Sequence, residues 1–190
     1  MASDRTSNRK QQILETLAHM LENPKREKIT TASLAAKLDL SEAALYRHFA
    51  SKAQMFAGLI EFTETSIFGV VNKITADEQD GVKQVQLIVT MLLKFAEKNP
   101  GMTRVLIGDA LVNEDEALQI RVNQLLDRLE ITLKQSLKVA VATSGKKVMP
   151  EAQANLMMCY VIGRWHQFAK SGFKKKPTDL SQAQINLLFL

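Results

Sequence analysis

The sequence predicts an all-α protein: an N-terminal three-helix helix-turn-helix head joined to an all-helical C-terminal domain, about nine helices in total. Three observations predict it. Only four prolines and eight glycines interrupt 190 residues, and the abundant Leu, Ala, Lys, Glu and Gln are good helix formers. Apolar residues return at i, i+3 and i+4 along most of the chain, the period of a buried helix face. The run TTASLAAKLDLSEAALYRHFASK, from Thr30 to Lys52, holds two short helical patterns around a tight turn.

Residues 1–7 are expected to be disordered, with Arg5, Arg9 and Lys10 forming a short basic arm. Helix one should run from about Asn8 to Leu21, bury Ile13, Leu14, Leu17 and Leu21, and stop at Asn23-Pro24 before a charged loop, Lys25 to Lys28. Helix two spans Ser33 to Leu38, with Leu34, Ala35 and Leu38 on one face. Thr30 and Thr31 are its candidate N-caps, because a hydroxyl there can accept from backbone N–H groups that lack an intrahelical partner. Asp39-Leu40-Ser41 is the turn, and Ser41 can cap helix three, Glu42 to Phe49, whose Ala44, Leu45 and Phe49 point inward. Helices this short are marginal alone and need helix one to close a small core.

Helix four should begin at Ser51 or Lys52 and carry apolar residues from Met55 through Phe62, Val70 and Ile74 for more than six turns. That length makes it the bridge between the head (residues 1–52) and a second domain (residues 53–190). A polar break, Asp77 to Gly81, precedes helix five (Val82 to Lys98), which Asn99-Pro100-Gly101 ends. Helix six is expected over Met102–Leu111. Helix seven, Asp115 to Ala142, opens on acidic residues that suit the positive end of its dipole. After a loop at Thr143–Met149, helix eight (Pro150 to Lys170) is apolar on more than one face, and helix nine (Leu180 to Leu190) ends on LLFL. Helices eight and nine are therefore expected to build a homodimer interface, a four-helix bundle across a two-fold axis, through Leu156, Tyr160, Gly163 and Trp165.

Composition excludes several classes. No apolar run is long enough for a membrane span, and the polar start MASDRTSNRK lacks a signal-peptide core. The single cysteine, Cys159, cannot make an internal disulfide, fits a reducing cytoplasm and is expected to be a buried small hydrophobe. There is no phosphate loop, GxGxxG, HExxH or CxxC pair, and His19, His48 and His166 each stand alone. Neither an enzyme nor a metal site is expected. Residues 1–52 hold nine Lys and Arg against six Asp and Glu, so +3 of the formal +5 lies in the head, which suits phosphate attraction.

Read as a DNA-binding head, the residues sort physically. Thr30, Thr31, Tyr46, His48, Ser51 and Lys52 can position it on the phosphate backbone through hydroxyls, charge and free backbone N–H groups. Ser41, Glu42, Ala43 and Arg47 are the candidates for base edges. Arg47 alone among them can make a bidentate contact to guanine, and alanine can pack on a thymine methyl.

The run SEAALYRHFASKAQMFAGLIE resembles the DNA-binding end of TetR-type regulators. TTASLAAKLDLSEAALYRHFASKAQMFAGLIEF, LLKFAEKNPGMTRVLIGDAL and RVNQLLDRLE are similar to the nucleoid-occlusion branch of that family, strongly through about residue 135 and loosely afterwards. The resemblance implies a nucleoid-associated dimer on palindromic double-stranded DNA that antagonises the division GTPase FtsZ, with no cofactor and no inducer. It also implies that the FtsZ tail lies between helices four and five, at Phe62, Val70, Met91, Lys94, Lys98 and Asn99. Phe62 and Asn99 match the branch pattern and Lys98 replaces an arginine. Val70 stands where an arginine is expected, and Lys94 where a glycine is usual. Lys94 and Lys98, at i and i+4, share a helix face and can together receive an acidic tail. The alternative within the family is a repressor released by a small molecule, which requires a closed apolar pocket; Met91, Met102, Met157 and Met158 are its candidate lining.

Overall fold

The computed structural model of the chain describes residues 2–23, 29–144 and 149–189, with side chains for all of these except residues 2–7 and 144. The described residues form nine α-helices and no strand: α1 Ala2–Leu21, α2 Thr31–Lys37, α3 Glu42–Tyr46, α4 Lys52–Asp77, α5 Gly81–Lys98, α6 Pro100–Leu106, α7 Glu116–Ser144, α8 Pro150–Lys170 and α9 Ser181–Leu187. The predicted fold class is the observed one. The charged loop Lys25–Lys28, most of the segment before Met149, the side chain of Arg5, and Leu190 lie outside the described residues.

Several predicted boundaries move, each for a local reason. Helix α1 starts at Ala2, so residues 2–7 are helical rather than disordered; no proline or glycine between Ala2 and Leu21 interrupts the backbone ladder. Helix α3 ends at Tyr46, and Arg47 to Phe49 form a turn in which the Phe49 N–H donates to the Leu45 carbonyl. Helix α6 stops at Leu106 instead of Leu111, because Gly108 takes a left-handed φ of 77° and the Ala110 N–H folds back onto the Arg104 carbonyl. Leu180 is left-handed at φ 59° and starts α9 one residue later than expected.

Capping explains the sharp starts. Thr30 and Ser33 form a reciprocal capping box on α2. The Ser41 hydroxyl accepts from the Ala44 N–H, the Ser51 hydroxyl accepts from the Gln54 N–H, and Asp80 accepts from the Val82 and Lys83 N–H groups. Buried Gln84 donates to the Glu78 carbonyl at 2.7 Å and holds the α4–α5 turn closed.

Two apolar clusters adjoin. The first surrounds the head: Ile13, Leu17, Leu21, Leu34 and Leu45 pack with Met55, Phe56, Leu59 and Ile60 of α4. Met102, Val105, Leu111, Leu118 and Val122 complete it, so this core is not confined to residues 1–52. The second is built by α4, α5, α7, α8 and α9 around fully buried Trp165, whose indole N–H donates to the Leu92 carbonyl at 3.1 Å. Phe95 and Leu126 lie against both clusters.

Outside the cores, Glu64 of α4 pairs with Arg121 and Arg128 of α7, and the Arg128 guanidinium stacks 4.1 Å from the Phe68 ring centroid. These partly exposed groups form a network rather than an isolated pair. Glu64→Ala is expected to cost about 1 kcal/mol, read as a lowered midpoint in urea with an unchanged slope.

Candidate nucleic-acid interface and adjoining groove

Helices α2 and α3 are held together by polar contacts on their outer side. The Thr31 hydroxyl donates to Glu42 Oε2 at 2.6 Å, and the Tyr46 hydroxyl donates weakly to Thr31 Oγ1 at 3.4 Å. Glu42 and Thr31 are thus engaged with each other, which leaves Ala43 and Arg47, both exposed, as the least encumbered of the four base-reading candidates. Ser41 is occupied as an N-cap, though its hydroxyl retains a donor for a phosphate or base. Tyr46 is exposed at 44% rather than buried in the head core. His48 is half-buried, and its Nδ1 is enclosed with no hydrogen-bond partner. An N–H at Nδ1 would be buried without an acceptor, so the Nε2–H tautomer is favoured.

Lys52, the first residue of α4, is not a free cation. Its Nζ lies 2.5 Å from Glu114 Oε1 in the α6–α7 turn and 5.5 Å from the Phe56 ring centroid. Sequence reasoning missed Glu114 as a partner, since a contact across 62 positions leaves no periodic signal.

A second feature lies farther along α4. Val70, Met91, Lys94, Lys98 and Asn99, five of the six positions implied for a partner, line one open groove of about 380 Å³ between α4 and α5. Ser66, Ile74, Leu87, Thr90 and Phe95 complete its walls. Phe62, one turn before Ser66 on the same side of α4, is 52% exposed; Val70 and Leu87 are exposed at 45% and 47%. The groove therefore has an apolar floor with Lys94 and Lys98 exposed on one rim. Ser66 could have been found from sequence, because it sits four residues from both Phe62 and Val70. The Asn99 side chain is partly committed, donating to the Phe95 carbonyl at 2.8 Å.

Of the four residues expected at a dimer interface, Leu156 and Gly163 are exposed on α8, Tyr160 is half-buried and Trp165 is buried. Trp165 is interior, and α9 is docked on its own chain: Ile185 is buried, Leu188 and Phe189 pack on the same core, and Tyr160 donates to Gln184 at 2.9 Å. Desolvation raises the Tyr160 pKa, so the hydroxyl stays a donor through neutral pH. An apolar face is left open on α7 and α8, where Ile131 and Leu156 are exposed at 54% and 50%. Gly163 is also exposed, with open space where a Cβ would stand. Cys159 is exposed on this face rather than buried, because α8 turns it away from Met157 and Met158. Of the four methionines expected to line a ligand pocket, Met157 and Met158 are in the second core with Met91 packed against it on the open groove, and Met102 is in the head core.

Comparison with known proteins bears on the family and the fold. Residues 27–59 match the family described as bacterial regulatory proteins, tetR family, and residues 79–190 match the tetracyclin repressor-like C-terminal domain of the SlmA-like type. The nucleoid occlusion factor SlmA of Alteromonas mediterranea is 49% identical over 181 residues, covering 94% of this chain and 93% of that protein. SlmA of Shewanella pealeana is 46% identical over 190 residues, covering 99% and 96%. In fold, a TetR transcription regulator from Haloarcula marismortui superposes with a TM-score of 0.80 at 14% identity, covering 96% of this chain and 97% of the other. A helix-turn-helix head, an all-helical frame among the described residues and near-half identity along almost the whole chain lead to one assignment: the chain belongs to the SlmA nucleoid occlusion factors of the TetR-type regulator family.

Proposed function

We propose that this chain is a sequence-specific DNA-binding homodimer that acts as a nucleoid occlusion factor, antagonising FtsZ ring assembly over the chromosome. The observation that carries the FtsZ part is the groove: positions implied by family resemblance from two separate helices line one continuous, open, basic-rimmed cleft. An acidic, partly apolar tail has complementary chemistry for that cleft. For the dimer, the exposed α7–α8 face supports a four-helix arrangement across a two-fold axis, with the two heads about 34–36 Å apart on a near-palindromic site. The filling of the second core by Trp165 favours this reading over a ligand-released repressor.

The deciding experiment is sedimentation of GTP-assembled FtsZ with this protein, with and without a duplex carrying a bound palindrome. Loss of polymer, greater with the duplex, is the expected result. No effect on FtsZ while the duplex still binds would return the chain to the ligand-released class. DNA affinity should also fall steeply with salt, because several Lys and Arg side chains displace counterions from phosphates. Titration from 50 to 200 mM salt reads this directly, and a flat profile would contradict the phosphate contacts assigned to the head.

A further inference from the structure

The Lys52–Glu114 pair has a placement that invites a second role. Lys52 opens α4 directly behind the recognition helix, where a backbone phosphate would meet the free N–H groups of a helix start. In the free chain that position is already neutralised by a carboxylate. The two side chains are only 21% and 13% exposed, more sequestered than an ordinary surface pair. Glu114 reaches this spot because its turn is fixed at several points. Asn113 adopts a left-handed φ of 65°, the Glu114 N–H donates to the Leu111 carbonyl, and Arg104 holds Asp109 at 2.8 Å a few residues earlier. A small cleft of about 230 Å³ opens beside the pair, lined by Lys52, Phe56, Asn113 and Glu114 together with Arg104 and Asp109, so the two side chains are not packed in on every side.

We infer that Glu114 is an intramolecular stand-in for a DNA phosphate: it holds the Lys52 ammonium in the free protein and gives it up to the backbone when a duplex is seated. This rests on the DNA-binding reading above. Glu114 is a positioning residue with an inhibitory sign. Each binding event must first break its contact, so it lowers affinity for any duplex. The exchange also leaves a bare carboxylate two residues before α7, giving DNA binding a physical effect on the helix that carries the proposed dimer face.

The test measures affinity by fluorescence anisotropy across a salt series, using a duplex selected by the full-length protein from a random pool and a scrambled duplex of the same composition. Lys52→Ala is expected to weaken binding and reduce the magnitude of the salt slope by about 0.9, the signature of one lost phosphate contact. Glu114→Gln, which keeps size and hydrogen bonding, is expected to tighten binding by about fivefold on both duplexes. Glu114→Ala should act in the same direction. In a Lys52→Ala background the Glu114→Gln gain should vanish. Asp115→Asn, at the exposed neighbouring acid, controls for general removal of negative charge and should change affinity less than twofold.

Three results would overturn the inference. One is an unchanged salt slope in Lys52→Ala, which would place the lysine on Glu114 in the bound state too. Another is unchanged or weaker binding by Glu114→Gln. The third is a Glu114→Gln gain that persists without Lys52. Absence of binding to any duplex by the wild-type protein would overturn the DNA-binding reading itself, and the inference with it.

Discussion

Replacing Arg104 with alanine is expected to lower the unfolding free energy by about 2–3 kcal/mol, the cost of losing its charge-assisted hydrogen bonds and leaving buried carbonyls without a donor while Asp109 keeps Lys170 at 3.7 Å. The Arg104 side chain is 8% exposed and serves three acceptors: Nε donates to Asp109 at 2.8 Å, and Nη1 donates to the Leu21 carbonyl at 3.0 Å and the Asn23 carbonyl at 3.3 Å. Leu21 ends α1, and its carbonyl has no intrahelical donor. A planar fork on α6 thus caps the helix on which the whole head is built. The same two helices meet at Gly101, where an added Cβ would stand 2.0 Å from the Ala18 carbonyl oxygen, so contact there is backbone on backbone. Arg104→Lys keeps the charge but cannot reach three acceptors in one plane, so it should recover only part of the loss. Urea denaturation of the three proteins measures the series. A cost below about 1 kcal/mol for Arg104→Ala would mean that the Gly101 seat and apolar burial suffice to hold α6 on α1.

The elements that local chemistry governs were legible in the sequence. Thr30 and Ser41 cap the helices they were expected to cap, α4 starts at Lys52, one of its two expected first residues, and Asn99-Pro100 separates α5 from α6 as proline requires. Helix α8 runs over its predicted span, Pro150–Lys170. Side-chain fate was less legible where a helix is apolar on several sides. In α4, periodicity alone gave Phe62 and Val70 the same standing as Phe56 and Ile67, yet the first two are exposed on the groove and the others are buried. The hydrophobic stripe marks a helix as amphipathic but does not say which neighbour covers each side. Trp165 and Leu156 show the same limit on α8: one fills the core and the other faces out. Long-range ion pairs were not legible at all. Lys52 with Glu114, and Glu64 with Arg121 and Arg128, depend on how distant segments meet, and each is separated by more than 50 positions.

Reversing both lysines on the groove rim, Lys94→Glu with Lys98→Glu, is expected to abolish FtsZ binding while leaving DNA affinity within about twofold. Both side chains are exposed on α5, so the substitutions disturb no buried contact, and glutamate is as good a helix former as lysine. The effect on an acidic tail is large because each substitution removes an attraction and adds a repulsion; like charges brought together across an interface cost several kcal/mol, or at least about a hundredfold in affinity. The two single variants should each lose less, which separates a shared rim from one dominant lysine. Val70→Arg supplies the complementary change. It places the cation expected in the family on the opposite, α4 wall of the same groove. If Lys94 has taken over that charge, Val70→Arg should rescue part of the binding lost in Lys94→Glu and add little to the wild type. The measurement is co-sedimentation with GTP-assembled FtsZ, beside anisotropy on the DNA duplex and a urea curve for each variant. Unchanged FtsZ binding by the double reversal would remove the α4–α5 groove as the docking site, whatever its fit to the family pattern. Loss of FtsZ and DNA binding together, with stability intact, would instead make the two activities inseparable at α5 and argue that the groove acts on the head rather than on the partner.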